Sequence, residues 1–327
     1  MKRISYPIDA VVTWVDGNDE RHRAKRMRYG NKAMLSADDV AGNTRYSSVG
    51  EIQYCIASIN RFAPWINKIY IVTDEQNPEV DNFIKHHFPN RCVPIEIVDH
   101  KVLFKGYEEF LPTFNSITIE SMTWRIPGLS EYYIEFNDYF ILAAPTMPED
   151  FFTHDGKVIC YGKKYCSLPV RISRIFKRHK NGEKKITFKE TMMNGASLLG
   201  ERWFFIKIYH TPRALLKSVY REYFGTHEEI LKKNISYRFR SHRQFNPQEI
   251  QYMLLYKSKR CILQNAHENL LYLKPKRNIG YTIRKLRFFD KNTESKFACI
   301  NSLDNTGKDI QEIIKQWMRK RIGVEIE

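Results

Sequence analysis

Short, apolar, β-branched runs alternate with helically spaced segments through the first half of the chain. Ile8 to Val15 reads as a strand closed by the turn Asp16-Gly17-Asn18, and Lys68 to Thr73 as a second strand ending at Asp74. Pro94 to Val98 reads as a third, ending at Asp99-His100, and Tyr132 to Phe136 as a fourth, ending at Asn137-Asp138. Glu51 to Phe62, between the first two, has the spacing of a helix. Such alternation predicts a parallel sheet flanked by helices. Each strand closes on a carboxylate, on the rim where ligands bind in open α/β sheets. A carboxylate there also serves as a turn former or helix cap. Four on one rim nevertheless predict at least one that faces a ligand.

The second half reads differently. Lys189 to Phe204, Pro212 to Phe224, Pro247 to Tyr256 and Asp304 to Arg321 carry mostly helical patterns separated by basic, polar stretches. The expected architecture is α/β: a Rossmann-like (GT-A-like), mainly parallel sheet over residues 1–160, closed by a mostly helical, basic half over residues 161–327. The apolar stripe Ile310, Ile313, Ile314 and Trp317, with Lys315, Arg319, Lys320 and Arg321 beside it, suggests either packing on the core or peripheral contact with anionic lipid.

Composition narrows the class. At 43% hydrophobic and 13% aromatic residues, with only 15 Gly and 13 Pro in 327, the chain can close a sizeable core, which excludes disordered and fibrous readings. Met1 to Pro7 runs into Asp9 before a signal-like apolar region can form, and no run approaches the roughly 18 apolar residues of a membrane span, so a cytoplasmic protein is expected. Six scattered cysteines without a CxxC pair signal neither a zinc site nor a disulfide framework. The net charge of +16 calls for an anionic partner. Its basic residues gather after Tyr161, in Lys163-Lys164, Arg171 to Lys185, Arg238 to Arg243, Lys257 to Arg260 and Lys274 to Arg287. Nucleic acid, anionic lipid and phosphorylated sugars all qualify.

Particular residues then point to one family. The stretch Ile8 to Gly17, with Thr13-Trp14-Val15-Asp16-Gly17 at its end, resembles the first conserved region of the Stealth proteins, the capsular polysaccharide phosphotransferases. A second region is similar through Arg45-Tyr46, Gly50-Glu51-Ile52, Ala63 to Asp74, Val98-Asp99-His100, Leu111 to Ser116, Ile119-Glu120-Ser121, Arg125 to Ser130 and Phe136-Asn137-Asp138. A third is similar through Asn194, Leu198-Leu199, His210-Thr211-Pro212-Arg213, Lys217-Ser218 and Arg238 to Ser241, and a weaker fourth through Lys296 to Asn301. Family members include capsule-forming enzymes and the animal N-acetylglucosamine-1-phosphotransferase that tags lysosomal glycoproteins. The chain departs from the family where a second acid usually follows Asn137-Asp138, which is Tyr139 here, and where an aspartate is common, which is Ser302 here.

The resemblance implies attack by an acceptor hydroxyl on the sugar-bearing phosphorus of a nucleotide-sugar, most simply a UDP-sugar. The nucleoside monophosphate leaves and a phosphodiester to a polysaccharide acceptor remains. That reaction needs a proton acceptor, neutralisation of the diphosphate and in-line geometry. Asp138 is the implied contact for a divalent cation, Mg2+ or Mn2+, or for the reacting hydroxyl. His210 is the implied base or phosphate contact, expected at a helix amino terminus because Pro212 suits a first helical turn. Arg240 is the implied phosphate clamp, with Arg238 expected to point the same way along an extended strand. Thr13, Trp14, Val15, Asp16 and Gly17 form the expected nucleotide platform; Asp74, Asn115, Glu120 and Asn194 are further donor-binding candidates.

Two rival readings follow from the same residues. A conventional glycosyltransferase would share the fold and donor but attack the anomeric carbon. A nucleic-acid-binding protein would suit the charge, yet no helix-turn-helix, zinc-finger or RNA-recognition signature accompanies it, and neither a Walker A sequence nor a GxGxxG follows a strand.

Overall fold

The structure is a computed structural model that describes residues 4–30, 49–176, 187–267, 269–275, 278–292 and 295–325. Arg45-Tyr46 and the later part of the basic stretch Arg171 to Lys185 lie outside the described residues.

A five-stranded sheet forms the centre. Its strands are β1 (Ile8–Thr13), β2 (Ile69–Thr73), β3 (Ile95–Asp99), β4 (Tyr132–Asn137) and β8 (Arg213–Leu216), in the spatial order β3-β2-β1-β4-β8. The first four run parallel and β8 is antiparallel to β4. β1 and β2 are buried throughout, which is why they read as continuous apolar runs rather than alternating ones. The one carboxylate inside β1, Asp9, accepts hydrogen bonds from Asn67 Nδ2 (2.8 Å) and the Ser130 N–H (2.7 Å), so its burial leaves no orphaned charge. The helix Glu51–Phe62 forms over the expected residues and buries ten of its twelve.

Helices make up most of the regular structure of the second half, as expected, with strands among them: β6 (Val158–Cys166) pairs with β7 (Phe204–Ile208) and β9 (Cys261–Gln264), and β10 (Leu270–Leu273) and β11 (Phe297–Ile300) pair with β5 (Phe140–Leu142). The expected division near residue 160 falls inside β6, and β8 completes the sheet of the first half. Of the two readings of the stripe on the helix Lys308–Ile322, packing on the core is the one that holds. Ile314, Trp317, Met318 and Ile322 are buried, Ile310 and Ile313 pack against the core, and the helix lies on Glu51–Phe62 and Ile279–Lys291. Two of its cations are engaged as well: Arg319 pairs with Glu312 (2.8 Å), and Arg321 donates to Ala143 O (2.6 Å) and reaches Asp290 (3.4 Å). This helix is a core element, not a lipid anchor. No helix among the described residues is long and apolar enough to cross a membrane.

Ile314 is fully buried, so Ile314→Ala should cost about 2–5 kcal/mol in urea unfolding, with little change in m-value. A loss below about 1 kcal/mol would show that the helix does not pack as described.

Candidate active site

Thr13 sits opposite Val72 and Asn137, and Thr73 opposite Asp99, so the carboxyl ends of β1 to β4 share one rim. The direction of strand succession reverses at β1, and the crevice outside that reversal is the ligand position of doubly wound sheets. A cavity of about 130 Å³ lies there. Thr13, Trp14 and Val15 line it from the end of β1 and beyond, Asn137, Asp138 and Tyr139 from the end of β4 and beyond, and Ser116 and Arg240 join them. Residues from the first strand, the fourth strand and the second half thus converge on one space.

The other expected residues hold this space from behind. The Asp16 carboxylate accepts the Asn18 N–H (2.8 Å), while its backbone exchanges two hydrogen bonds with the Gln76 carboxamide, fixing the exit of β1 through Gly17. Asp74 is buried against Lys25 Nζ (3.3 Å). Asn115 donates to Tyr237 O (2.9 Å) and Gln244 Oε1 (2.8 Å), and Asn194 donates to His242 O (2.9 Å) and Gln244 O (2.8 Å). These two asparagines clamp the segment that carries Arg240, and Asn194 itself borders a second cavity, of about 720 Å³. Glu120 is buried, taking hydrogen bonds from Gln248 (3.0 Å) and Asn137 (3.4 Å). Asp74, Asn115, Glu120 and Asn194 do not line the first cavity.

Arg238 and Arg240 do not lie on a strand but in a bent segment. Their side chains reach different partners: Arg240 Nη2 donates to Ser116 Oγ (2.6 Å) at the cavity, and Arg238 Nη2 to Glu109 O (3.2 Å) and Leu111 O (3.3 Å). His210 begins no helix. It occupies a bend between β7 and β8, and Pro212 precedes a strand. Its ring stacks between Phe188 (5.4 Å) and Tyr272 (4.9 Å), outside the lining of the first cavity. Burial, then Arg213, Lys274 and Lys207, bring it down to about 4, so the imidazole is neutral at physiological pH. Three residues on, Arg213 donates to Asn137 Oδ1 (3.0 Å) and Glu135 Oε1 (3.1 Å), tying the His210 turn to the end of β4.

Two histidines that sequence reasoning did not single out also line the cavity, His22 and His100. Both ring nitrogens of His100 lack a hydrogen-bond partner, and burial holds its pKa near 4. Its sequence signals were its place after Asp99 at the end of a predicted strand and its position in the family-like stretch Val98-Asp99-His100.

Asp138 is the perturbed carboxyl of the cavity. Burial, then the nearby Glu51 carboxylate, push it up to about 8. These two carboxyls are oxygen ligands of the kind a hard cation takes, and any further ligands would have to come from phosphate and water. Among the described residues no group of three or more His, Cys, Asp or Glu forms a complete metal cage.

Comparison with known proteins places these residues. Residues 6–33 match the Stealth protein conserved region 1 and residues 45–160 match conserved region 2. The chain belongs to the Stealth family. Thr13 to Gly17 and Asp138 fall inside the two matched stretches of this Stealth chain, and His210 and Arg240 beyond them. It is 40% identical over 149 residues to the capsular polysaccharide phosphotransferase WcwK of Streptococcus pneumoniae, covering 46% of this chain and 42% of that protein. It is 31% identical over 245 residues to the capsular polysaccharide phosphotransferase fcs1 of Haemophilus influenzae, covering 73% and 62%. It is 28% identical over 311 residues to the exopolysaccharide phosphotransferase SCO6023 of Streptomyces coelicolor, covering 94% and 49%. The chain therefore spans about half the length of these relatives. Solved structures align only loosely: the bifunctional glycosyltransferase WbbM at a TM-score of 0.47, 9% identity and 97% and 52% coverage, and the glycosyltransferase GlyE of Streptococcus pneumoniae at 0.42, 10%, and 96% and 62%. Overlays this loose say nothing of the chemistry.

A carboxyl raised in the folded state binds a proton that the unfolded chain releases, so its contribution to stability falls as pH rises from about 4 toward 8. Asp138→Asn escapes that loss. Its melting temperature should therefore exceed that of the wild type at pH 8.5 and converge with it near pH 4, and equal gaps at both pH values would contradict a raised Asp138.

Proposed function

We propose that this chain transfers a sugar-1-phosphate from a nucleoside-diphosphate sugar to a hydroxyl of a growing capsular or exopolysaccharide. A phosphodiester forms and a nucleoside monophosphate leaves. The observation that carries this reading is the convergence of Thr13 to Val15, Asp138 and Arg240 on one cavity at the strand reversal of a Stealth-family chain.

Thr13, Trp14 and Val15 form a flat, partly polar wall for the nucleoside, with the indole as its apolar face. Arg240, held by Ser116 and by the clamped segment behind it, neutralises the diphosphate with a charge that does not titrate near neutral pH. The acceptor hydroxyl attacks the sugar-bearing phosphorus. Its proton, or a phosphate oxygen, is the partner we assign to His210, which lies outside the lining of the cavity and whose neutral ring can accept a proton. The bond broken joins that phosphorus to the oxygen of the departing monophosphate, so the anomeric oxygen is untouched. Asp138, beside Glu51, would hold Mg2+ or Mn2+, and such a cation supplies further charge neutralisation on the diphosphate.

His210→Ala and Arg240→Ala should each lower turnover by roughly two to four orders of magnitude while circular dichroism stays unchanged. A folded variant that keeps more than about a tenth of wild-type turnover removes that residue from the mechanism.

Phosphorus NMR of the polymer, with chromatography of the released nucleotide, should give a phosphodiester and a nucleoside monophosphate. A nucleoside diphosphate with no phosphorus in the polymer would instead establish attack at the anomeric carbon. Excess EDTA should suppress turnover and added Mg2+ restore it; full turnover in EDTA would leave neutralisation to the basic side chains alone.

A further inference from the structure

The helix Leu168–Phe176 is turned inside out. At about 100° per residue, positions 168, 172 and 175 fall on one stripe, and position 170 lies on the opposite side. The stripe consists of Leu168, Ile172 and Ile175, which are 60%, 45% and 78% exposed, whereas Val170 is buried. An amphipathic helix on a soluble core normally buries its apolar stripe, as Lys308–Ile322 does here. Beside the start of this helix stands Trp203, 83% exposed and held there because Trp203 O accepts the Ser167 N–H (2.8 Å).

The polar surroundings of the patch are cationic. Arg171 flanks the stripe, Arg202 adjoins the tryptophan, and Lys163 and Lys164 on β6 lead into the helix; all four are exposed. The neighbouring acid, Glu201, is half-buried and spends its carboxylate on the Trp203 N–H (2.9 Å). Three branched aliphatic side chains and an indole, projecting from one helix and its neighbouring turn within a ring of Arg and Lys, match an interfacial lipid anchor. The apolar groups enter the acyl boundary, tryptophan favours the headgroup level, and the cations meet anionic headgroups.

We propose that this face, Leu168, Ile172, Ile175 and Trp203 with their basic rim, docks the protein on an anionic lipid bilayer. Charge complementarity selects that occupant: a second copy would set like-charged rims against each other, whereas an anionic bilayer offers both an apolar layer and opposite charge. Docking would hold the enzyme at a surface, and it stands apart from the reaction assigned to the cavity.

Flotation with vesicles tests it. The full chain should float with phosphatidylcholine vesicles containing about a third phosphatidylglycerol, and roughly tenfold less with phosphatidylcholine alone. Ile175→Ser/Trp203→Ser, which removes apolar surface without changing charge, should lower partitioning to the anionic vesicles by roughly tenfold or more while keeping the wild-type melting temperature. Phe288→Ser, at another exposed apolar residue (75% exposed), should float as the wild type does. Unchanged flotation of the double variant, or an equal loss in Phe288→Ser, overturns the proposal. So does light scattering that shows a wild-type dimer dissociated by Ile175→Ser/Trp203→Ser, since the face would then cover a second copy.

Discussion

A buried guanidinium holds the two halves of this protein in register. Arg213 opens β8 and reaches across to β4, where it donates to Glu135 and Asn137. Glu135 is also bonded by Gln248, and Gln248 and Asn137 both donate to Glu120. One network therefore joins β4, β8 and the helices Ser116–Glu120 and Pro247–Lys257. A fully buried cation is tolerable only when it is paired, and removing one partner of such a pair typically costs about 3–5 kcal/mol. Burial, then Glu120, raises Glu135, while Arg213 opposes the shift, so the charges are balanced only as a set. Asn137 precedes Asp138 and Arg213 follows His210 by three residues, so this network also sets the spacing of the candidate catalytic groups.

A second polar set does the same for Arg240. Gln244 accepts from Asn115 and from the Ser241 N–H and donates to Asn234 O, while Asn194 binds two carbonyls of the same segment. Amide side chains suit this task because each donates and accepts within one rigid plane. The segment thereby becomes a fixed wall with a cavity on each side, Arg240 facing one and Arg243 lining the other. Of the residues chosen as donor contacts from the sequence, Asn115 and Asn194 brace this wall and Glu120 belongs to the Arg213 network, roles in which precise hydrogen bonding matters as much as it would in direct contact.

The charge is distributed by the same logic. Carboxyls at the strand ends are either spent in turns, as Asp16 is, or paired, as Asp74 is, leaving Asp138 as the carboxyl in the cavity whose neighbours raise it. Several basic side chains that looked available are spent as well, on Glu312, on Asp290 and on backbone carbonyls. Among the cations that stay exposed are Arg171 and Arg202 beside the apolar face and Arg243 beside the second cavity.

The amino-acid sequence by itself determined the parallel core. Residues of β1 to β4 and the helix Glu51–Phe62 are legible because the buried strands β1 and β2 are almost wholly apolar, β3 and β4 carry β-branched or aromatic residues, and each run closes on turn residues that break it. Thr13 to Val15, Asp138 and Arg240 were legible as candidates because rim carboxylates and family motifs mark them locally. Only the tertiary structure decided the rest. β8 is four residues long and begins with an arginine, so nothing in its pattern announces a strand until Glu135 and Asn137 supply the partners that let Arg213 be buried. His100 was visible only as a strand-end position within a family-like stretch, and its burial at the cavity came with what surrounds it. Two amphipathic stripes, on Leu168–Phe176 and Lys308–Ile322, are equivalent as periodicities, yet one is covered by neighbouring helices and the other is bare. A period states which residues share a face; only long-range packing states what that face meets.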